Sequence, residues 1–82
     1  MEIKIKNIIK KKVNNNITKL GLEVKNFNDD TEILKSGIID SLDFVELMTS
    51  IEKETGIKSK TFLENETSFN ISVNWFIEKL KN

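Results

Sequence analysis

The chain has 82 residues, with no cysteine, histidine or proline and a formal net charge of zero. This length provides for one hydrophobic core, so we expect a single domain over residues 1–82. Without cysteine there is no disulfide framework, thiolate metal site or thiol nucleophile, and without histidine the usual general base and commonest metal ligand are absent. No apolar run is long enough for a signal peptide or a membrane span, which predicts a cytoplasmic protein.

The zero net charge conceals two halves of opposite charge. Residues 1–28 carry +5, and residues 29–82 carry −5. A basic segment can indicate nucleic-acid binding. However, every basic residue is lysine, whereas arginine is the residue that forms bidentate hydrogen bonds with phosphates and bases. We therefore interpret the basic half as a solvated helix face and predict no nucleic-acid partner.

The first predicted helix covers about residues 2–20. Its apolar residues form one broad stripe at 100° per residue: Ile5, Ile8, Ile9, Val13, Ile17 and Leu20. Gly21 follows as a C-cap. Three asparagines at 14–16 weaken the helix locally, because their side chains offer the backbone competing hydrogen bonds.

Residues 22–39 show turn-forming residues and no sustained periodicity, which predicts a long ordered loop. Its apolar anchors are expected to be Leu22, Val24, Phe27, Ile33, Leu34 and Ile38. Loops of this length within a small domain are often functional.

The second helix is predicted to begin near Asp40 and to run to about Thr55, with Gly56 ending it. Asp40 is a good N-cap, and Asp43 adds negative charge to the first turn, where the helix dipole favours it. Its buried stripe is expected to contain Phe44, Leu47, Met48 and Ile51. Leu42 falls on the opposite face and should therefore be exposed.

Residues 57–68 read as an irregular link with one short helix around Thr61–Glu66. The last helix, about 69–81, has an apolar face of Val73, Phe76, Ile77 and Leu80, with Trp75 at its edge. No stretch alternates with period two, so we expect an all-α fold, a small bundle of three main helices plus one short helix. The predicted core joins Ile5, Ile9 and Val13 to the stripe of the second helix and to Val73, Phe76 and Ile77.

Ser41, between Asp40 and Asp43, has three possible roles, and the acids around it have a possible role of their own. A catalytic nucleophile needs a base, and the chain has no histidine and no lysine near Ser41 in sequence. Asp40, Asp43 and Glu46 could hold Mg²⁺, although acids in a first helical turn commonly serve the helix dipole. As a cap Ser41 is redundant beside Asp40. A hydroxyl at a helix N-terminus also suits an attached phosphate, with the chemistry supplied by another enzyme.

The stretch GIIDSLDFVEL, residues 37–47, resembles the attachment site of the acyl carrier and peptidyl carrier family. In that family an Asp-Ser-Leu triplet opens the second helix. An isolated triplet would be weak evidence. Here the first helix, the long loop, IEKETGI at the end of the second helix and NWFIEKL in the last helix follow the family's order across nearly the whole chain.

The resemblance implies that Ser41 carries a covalent 4′-phosphopantetheine arm, with Asp40 and Leu42 as recognition neighbours. It also implies a partner-docking face: Asp43, Val45, Glu46, Thr49 and Glu52. The expected partners are a phosphopantetheinyl transferase, an acyl- or amino-acid-activating ligase and downstream acyl-transfer enzymes. We expect a monomeric carrier that holds its substrate as a thioester and is not itself an enzyme, with no metal site.

Two features differ from family members that serve fatty acid synthesis, which are often strongly acidic. This chain is neutral, with Lys53 on the recognition helix, and Thr49 replaces an exposed apolar residue. Both features count against the housekeeping fatty-acid role and leave the carrier role untouched. We expect a discrete carrier in fatty-acid, polyketide or specialised acyl or amino-acid metabolism, with an amino acid, a hydroxy acid or a specialised acyl chain at least as favoured as a fatty acid. The alternative is a helical protein-interaction module of the same fold that is never modified.

Overall fold

Four α-helices form the regular structure of the described part of the chain. The computed structural model describes residues 2–21, 27–64, 66–67 and 70–81, and these contain no strand. The helices are α1 (Glu2–Leu20), α2 (Ser41–Thr55), α3 (Ser59–Leu63) and α4 (Val73–Lys81). α1 packs against α2 and α4, and α3 packs against the same two helices. The predicted all-α bundle of three main helices and a short one is confirmed.

The last two helices begin at residues other than those predicted. α3 starts at Ser59 and ends at Leu63. α4 starts only at Val73, because the backbone before it is used elsewhere: the Ile71 carbonyl accepts a hydrogen bond from the Ile33 N–H at 2.8 Å. Ser72, predicted to lie inside the helix, precedes it, and its hydroxyl accepts from the Trp75 N–H at 3.1 Å. Hydroxyl acceptors of this kind favour helix starts. Residues 68 and 69 lie outside the described residues.

One hydrophobic core joins the four helices to the loop before α2. All ten residues predicted to form it are buried: Ile5, Ile9, Val13, Phe44, Leu47, Met48, Ile51, Val73, Phe76 and Ile77. Six more join them: Ile33, Ile38, Ile39, Phe62, Ile71 and Trp75. Ile8, Ile17 and Leu80 are partly buried against this cluster.

Trp75, predicted at the edge of the apolar face of the last helix, belongs to the buried core. Its side chain is only 8% exposed. Its ring packs edge-on against Phe76, with 4.8 Å between ring centroids, and contacts Phe44 and Phe62 at 6.2 Å. The indole N–H donates to the Glu66 carboxylate. Because its one polar atom has an acceptor, the ring can be buried at little cost.

Leu20 was predicted within the buried stripe of α1 but is 57% exposed. α1 and α2 run antiparallel, since Lys12 and Asn16 of α1 contact the first turns of α2. The last turn of α1 therefore extends beyond the start of α2, where no described helix covers it. Leu20 instead lines an open groove together with Leu42.

The loop before α2 is ordered by its own hydrogen bonds. The Glu32 carboxylate accepts from the backbone N–H groups of residues 34, 35 and 36 at 2.8–3.0 Å. Gly37 then takes a positive φ of 86°, a conformation that favours glycine. The Ile39 N–H donates to the Ile33 carbonyl at 2.9 Å. This turn directs Ile38 and Ile39 into the core and so fixes the residue where α2 starts.

The predicted loop anchors Ile33 and Ile38 are buried, and Phe27 and Leu34 are partly buried against the core. Leu22 and Val24 lie outside the described residues. Across the described parts of the chain, no helix combines the length and apolar character that crossing a membrane requires.

Candidate functional site

The start of α2 is fixed by a reciprocal cap between two aspartates. The Asp40 side chain accepts from the Asp43 N–H at 2.8 Å, and the Asp43 side chain accepts from the Asp40 N–H at 3.1 Å. This capping box satisfies two N–H groups that a helix end otherwise leaves without partners. The predicted N-cap at Asp40 is confirmed, and Gly56 ends the helix in the left-handed conformation.

Ser41 is the first residue of α2 and is exposed. Its hydroxyl makes no hydrogen bond to any described residue, because Asp40 performs the capping. The N–H groups of Ser41 and Leu42 likewise have no acceptor within the described parts of the chain. An uncommitted hydroxyl therefore lies at the positive end of a helix dipole, beside N–H groups that suit a phosphate.

Two large apolar side chains on α2 point into solvent next to Ser41. Leu42 is 65% exposed and Val45 is 58% exposed, which confirms the outward direction predicted for Leu42. Thr49, one turn after Val45, is also exposed, and its hydroxyl donates to the Val45 carbonyl at 3.0 Å. Leu63 on α3 is 38% exposed and adds a further apolar side chain. Clustered exposed apolar side chains commonly mark an interaction surface.

The three acids of the predicted partner-docking face have partners within the chain. The Lys12 ammonium lies 3.3 Å from an Asp43 carboxylate oxygen and 3.0 Å from a Glu46 carboxylate oxygen. Glu52 lies farther along α2, with Lys58 at 4.0 Å. Asp43 is the most enclosed of the three acids, and Glu46 is about half exposed.

These contacts shift the ionisation of both partners. The Asp40 N–H, followed by the Lys12 ammonium and the Asn16 amide, lowers the pKa of the Asp43 carboxyl below its ordinary value, and partial burial opposes this only in part. The Glu46 hydrogen bond and the Asp43 carboxylate raise the pKa of Lys12. Both groups are therefore charged at neutral pH, and the ion pair persists there.

Asn16 links α1 to the start of α2. Its buried side-chain amide donates to the Ile38 carbonyl at 3.2 Å and to an Asp43 carboxylate oxygen at 2.9 Å. One side chain thus holds the end of the loop and the capping aspartate together. Because buried polar groups almost always have partners, a polar residue in the middle of an apolar stripe signals such a contact.

That signal was available from the sequence but was missed. Asn16 falls between Ile5 and Ile9 on the helical wheel of α1, and Lys12 falls between Ile8 and Ile5, within the same stripe. Treating the three asparagines only as weak helix formers concealed the difference between buried Asn16 and exposed Asn14 and Asn15.

A small pocket opens between α2 and α3 on the same side of the bundle as Val45. It has a volume of about 150 Å³. Its lining is mainly apolar: Phe44, Val45, Met48, Thr49, Glu52, Ser59 and Leu63. Such a pocket can hold a short apolar group but is too small for a large ligand.

The arrangement around Ser41 suits modification from outside better than catalysis from within. Asp40 and Asp43 are used in the cap, and Glu46 and Asp43 bind Lys12. No carboxylate or lysine of this group is therefore free to act as a base for Ser41. The exposed hydroxyl, the uncommitted N–H groups and the neighbouring groove fit a phosphate-linked group attached to Ser41.

The chain was compared with protein-family models, curated proteins and solved structures. Residues 17–68, more than half of the chain, match the model described as the phosphopantetheine attachment site. No curated protein and no solved structure gave a significant match. Members of this family carry 4′-phosphopantetheine covalently on a conserved serine, and they act as carriers rather than catalysts. The chain therefore belongs to the phosphopantetheine attachment-site family, the acyl and peptidyl carrier proteins.

Proposed function

We propose that Ser41 bears the 4′-phosphopantetheine arm and that the chain is an acyl or aminoacyl carrier. One observation carries the proposal: Ser41, within the matched residues, combines an exposed first helical position with a hydroxyl that forms no hydrogen bond to any residue the structure describes. Asp40 and Leu42 are proposed as the neighbours that the modifying transferase reads.

The other described serines fit less well. Ser50 lies in the middle of α2, where the backbone is already hydrogen bonded. Ser59 begins the five-residue helix α3 and is partly buried, and Ser72 caps α4. Ser36 is exposed, but it lies in the loop and accepts from the Ile38 N–H at 3.4 Å. None of these serines combines a free hydroxyl with the N-terminus of a long helix.

When attached, the arm supplies a terminal thiol that holds the substrate as a thioester. The residues of this chain position that attachment. The Asp40–Asp43 cap fixes the first turn of α2, and Asn16 fastens that turn to α1. A tether fixed at one defined point raises the local concentration of its cargo at each docked active site.

The docking face is proposed to consist of the outward side of α2: Asp43, Val45, Glu46, Thr49 and Glu52, beside Leu42. The exposure of Leu42 and Val45 supports this surface, because apolar side chains near the attachment residue favour contact with an enzyme. The proposed partners are a phosphopantetheinyl transferase, a ligase that loads the cargo and the acyl-transfer enzymes that use it, all in the cytoplasm.

The pocket between α2 and α3 supports a cargo that is at least partly apolar. Its volume of about 150 Å³ and its lining by Phe44, Met48 and Leu63 suit a short chain better than a bulky one. We propose a role in fatty-acid, polyketide or specialised acyl or amino-acid metabolism on this basis.

Intact-mass spectrometry tests the proposed function. The purified apo-protein is incubated with coenzyme A and a phosphopantetheinyl transferase, with a matched sample that lacks the transferase. The expected result is a gain equal to one phosphopantetheine in the complete reaction only. A folded protein that gains no mass would instead identify the chain as an unmodified interaction module.

A further inference from the structure

Lys12 is the one basic side chain of α1 that bonds to the proposed docking face, among the described ion pairs. It reaches from α1 to two acids of α2, 3.3 Å from Asp43 and 3.0 Å from Glu46. Its side chain is 26% exposed, so its long stem is largely covered while the ammonium stays at the surface. The positive charge is therefore fixed beside the docking face.

This placement changes the charge that a partner encounters. Asp43 and Glu46 are the two proposed docking acids nearest to Ser41 in sequence, and both are paired with Lys12. Asp43 is bonded further by the Asp40 N–H and by Asn16. A cationic partner must therefore compete with Lys12 for these carboxylates. Leu42 and Val45, in contrast, have large exposed areas.

Resting on the proposed function, we infer that Lys12 is a specificity-determining residue that weakens electrostatic docking on α2. The partner that fits is an enzyme with an apolar contact surface opposite Leu42 and Val45 and only a modest positive charge. Partners with many cations lose part of their attraction, because interfacial charges act mainly on association rate and on discrimination between partners. The ion pairs, rather than any change of protonation, hold this positive charge in place, because a lysine is already charged at neutral pH and these contacts raise the pKa of Lys12 further.

Lys11 provides a matched control for Lys12. It is the adjacent residue on α1, is exposed, and has no ion pair among the described residues. Lys11→Met and Lys12→Met change the net charge by the same amount. Any difference between the two variants therefore reports the position of the charge rather than its amount. Both variants should fold: Lys11 is exposed, and methionine keeps the apolar stem that covers the core at Lys12 while only the ion pair at the surface is lost.

The test measures kcat/KM for transfer from coenzyme A, catalysed by a purified transferase with a basic docking surface, over a series of salt concentrations. Lys12→Met should be modified roughly three- to tenfold faster than the wild type at low salt and should show the steeper salt dependence. Lys11→Met should stay close to the wild type. Lys12→Arg should restore the wild-type rate and slope.

A second variant and the wild-type reaction distinguish failure of this inference from failure of the proposed function. Lys12→Gln also removes the charge but retains a hydrogen-bond donor; it should match Lys12→Met and serves if Lys12→Met does not fold by circular dichroism. Equal rates and equal salt slopes for the folded Lys12 and Lys11 variants would overturn the inference while leaving the carrier function intact. A wild-type protein that accepts no group would overturn the proposed function itself.

Discussion

The two faces of α2 have similar apolar residues and opposite environments. The inward face holds Phe44, Leu47, Met48 and Ile51, all buried, whereas Leu42 and Val45 on the outward face are more than half exposed. Burial of the first set stabilises the bundle, since removing apolar area from water is the main driving force of folding. The exposed side chains of the second set add little to the stability of the fold, and this indicates a role in binding a partner.

Substitutions on the inward face of α2 should have the largest effect, a loss of fold stability. Phe44→Ala removes a ring that packs against Trp75 and Phe76, and should lower the free energy of unfolding by about 3 kcal/mol or more. In so small a domain this can abolish the folded state. Val45→Ala, the adjacent residue on the outward face, should change it by less than about 0.5 kcal/mol. Urea denaturation followed by circular dichroism measures the free energy of unfolding of both variants. Similar losses for Phe44→Ala and Val45→Ala would show that the two faces of α2 do not differ in their contribution to stability.

A smaller loss of stability is expected where α1 meets the start of α2. Asn16→Leu removes two hydrogen bonds and leaves the Ile38 carbonyl without its donor, which should cost about 1–3 kcal/mol. Asn15→Leu, the exposed neighbour on the same helix, should be close to neutral. The same denaturation experiment compares them. If Asn16→Leu is as stable as Asn15→Leu, the amide does not fasten the two helices.

The outward face should respond in rate rather than in stability. Glu46→Lys should slow modification by a phosphopantetheinyl transferase several-fold at low salt, because it replaces one acid of the docking face by a cation and leaves Asp43 as the remaining partner of Lys12. Glu54→Lys makes the same change of charge near the other end of α2. Glu46→Lys should be modified more slowly than Glu54→Lys at low salt, and the two rates should converge at high salt. Equal slowing by both would mean that total charge alone governs docking.

The smallest effect is expected in acid. Because the folded-state pKa of Asp43 is lowered from its usual value of 3.8, its contribution to stability is present above that value and is lost as the pH falls through the lowered pKa. Asp43→Asn should therefore be less stable than the wild type at neutral pH, with the difference narrowing below about pH 4. Thermal melts over this range test it. A difference in stability between wild type and Asp43→Asn that does not change with pH would show that the charge of Asp43 does not cause it.

Periodicity predicted the inward faces correctly because burial of apolar side chains on a regular helix leaves a direct trace in the sequence. All ten predicted core residues are buried, and Leu42 points outward. The sequence also predicted that Ser41 lies in the first turn of the second helix, both from the Asp40 cap and from the resemblance to carrier proteins.

The failures lie where tertiary contacts outweigh local pattern. α4 starts late because Ile71 bonds to the loop through its backbone and Ser72 caps the helix, neither of which produces a periodic signal. Leu20 is exposed because α1 extends beyond its partner helix. The pairing of Lys12 with Asp43 and Glu46 joins residues 31 and 34 positions apart, and only the packing of α1 on α2 reveals it.

Intact-mass spectrometry of Ser41→Ala beside Ser36→Ala tests whether the hydroxyl of Ser41 is the attachment point of the arm. Both variants should fold as the wild type does, because Asp40 supplies the cap of α2 and Ser36 lies in an exposed part of the loop. After treatment with coenzyme A and a transferase, Ser36→Ala should gain one phosphopantetheine and Ser41→Ala none. A folded Ser41→Ala protein that still gains the group would contradict the account.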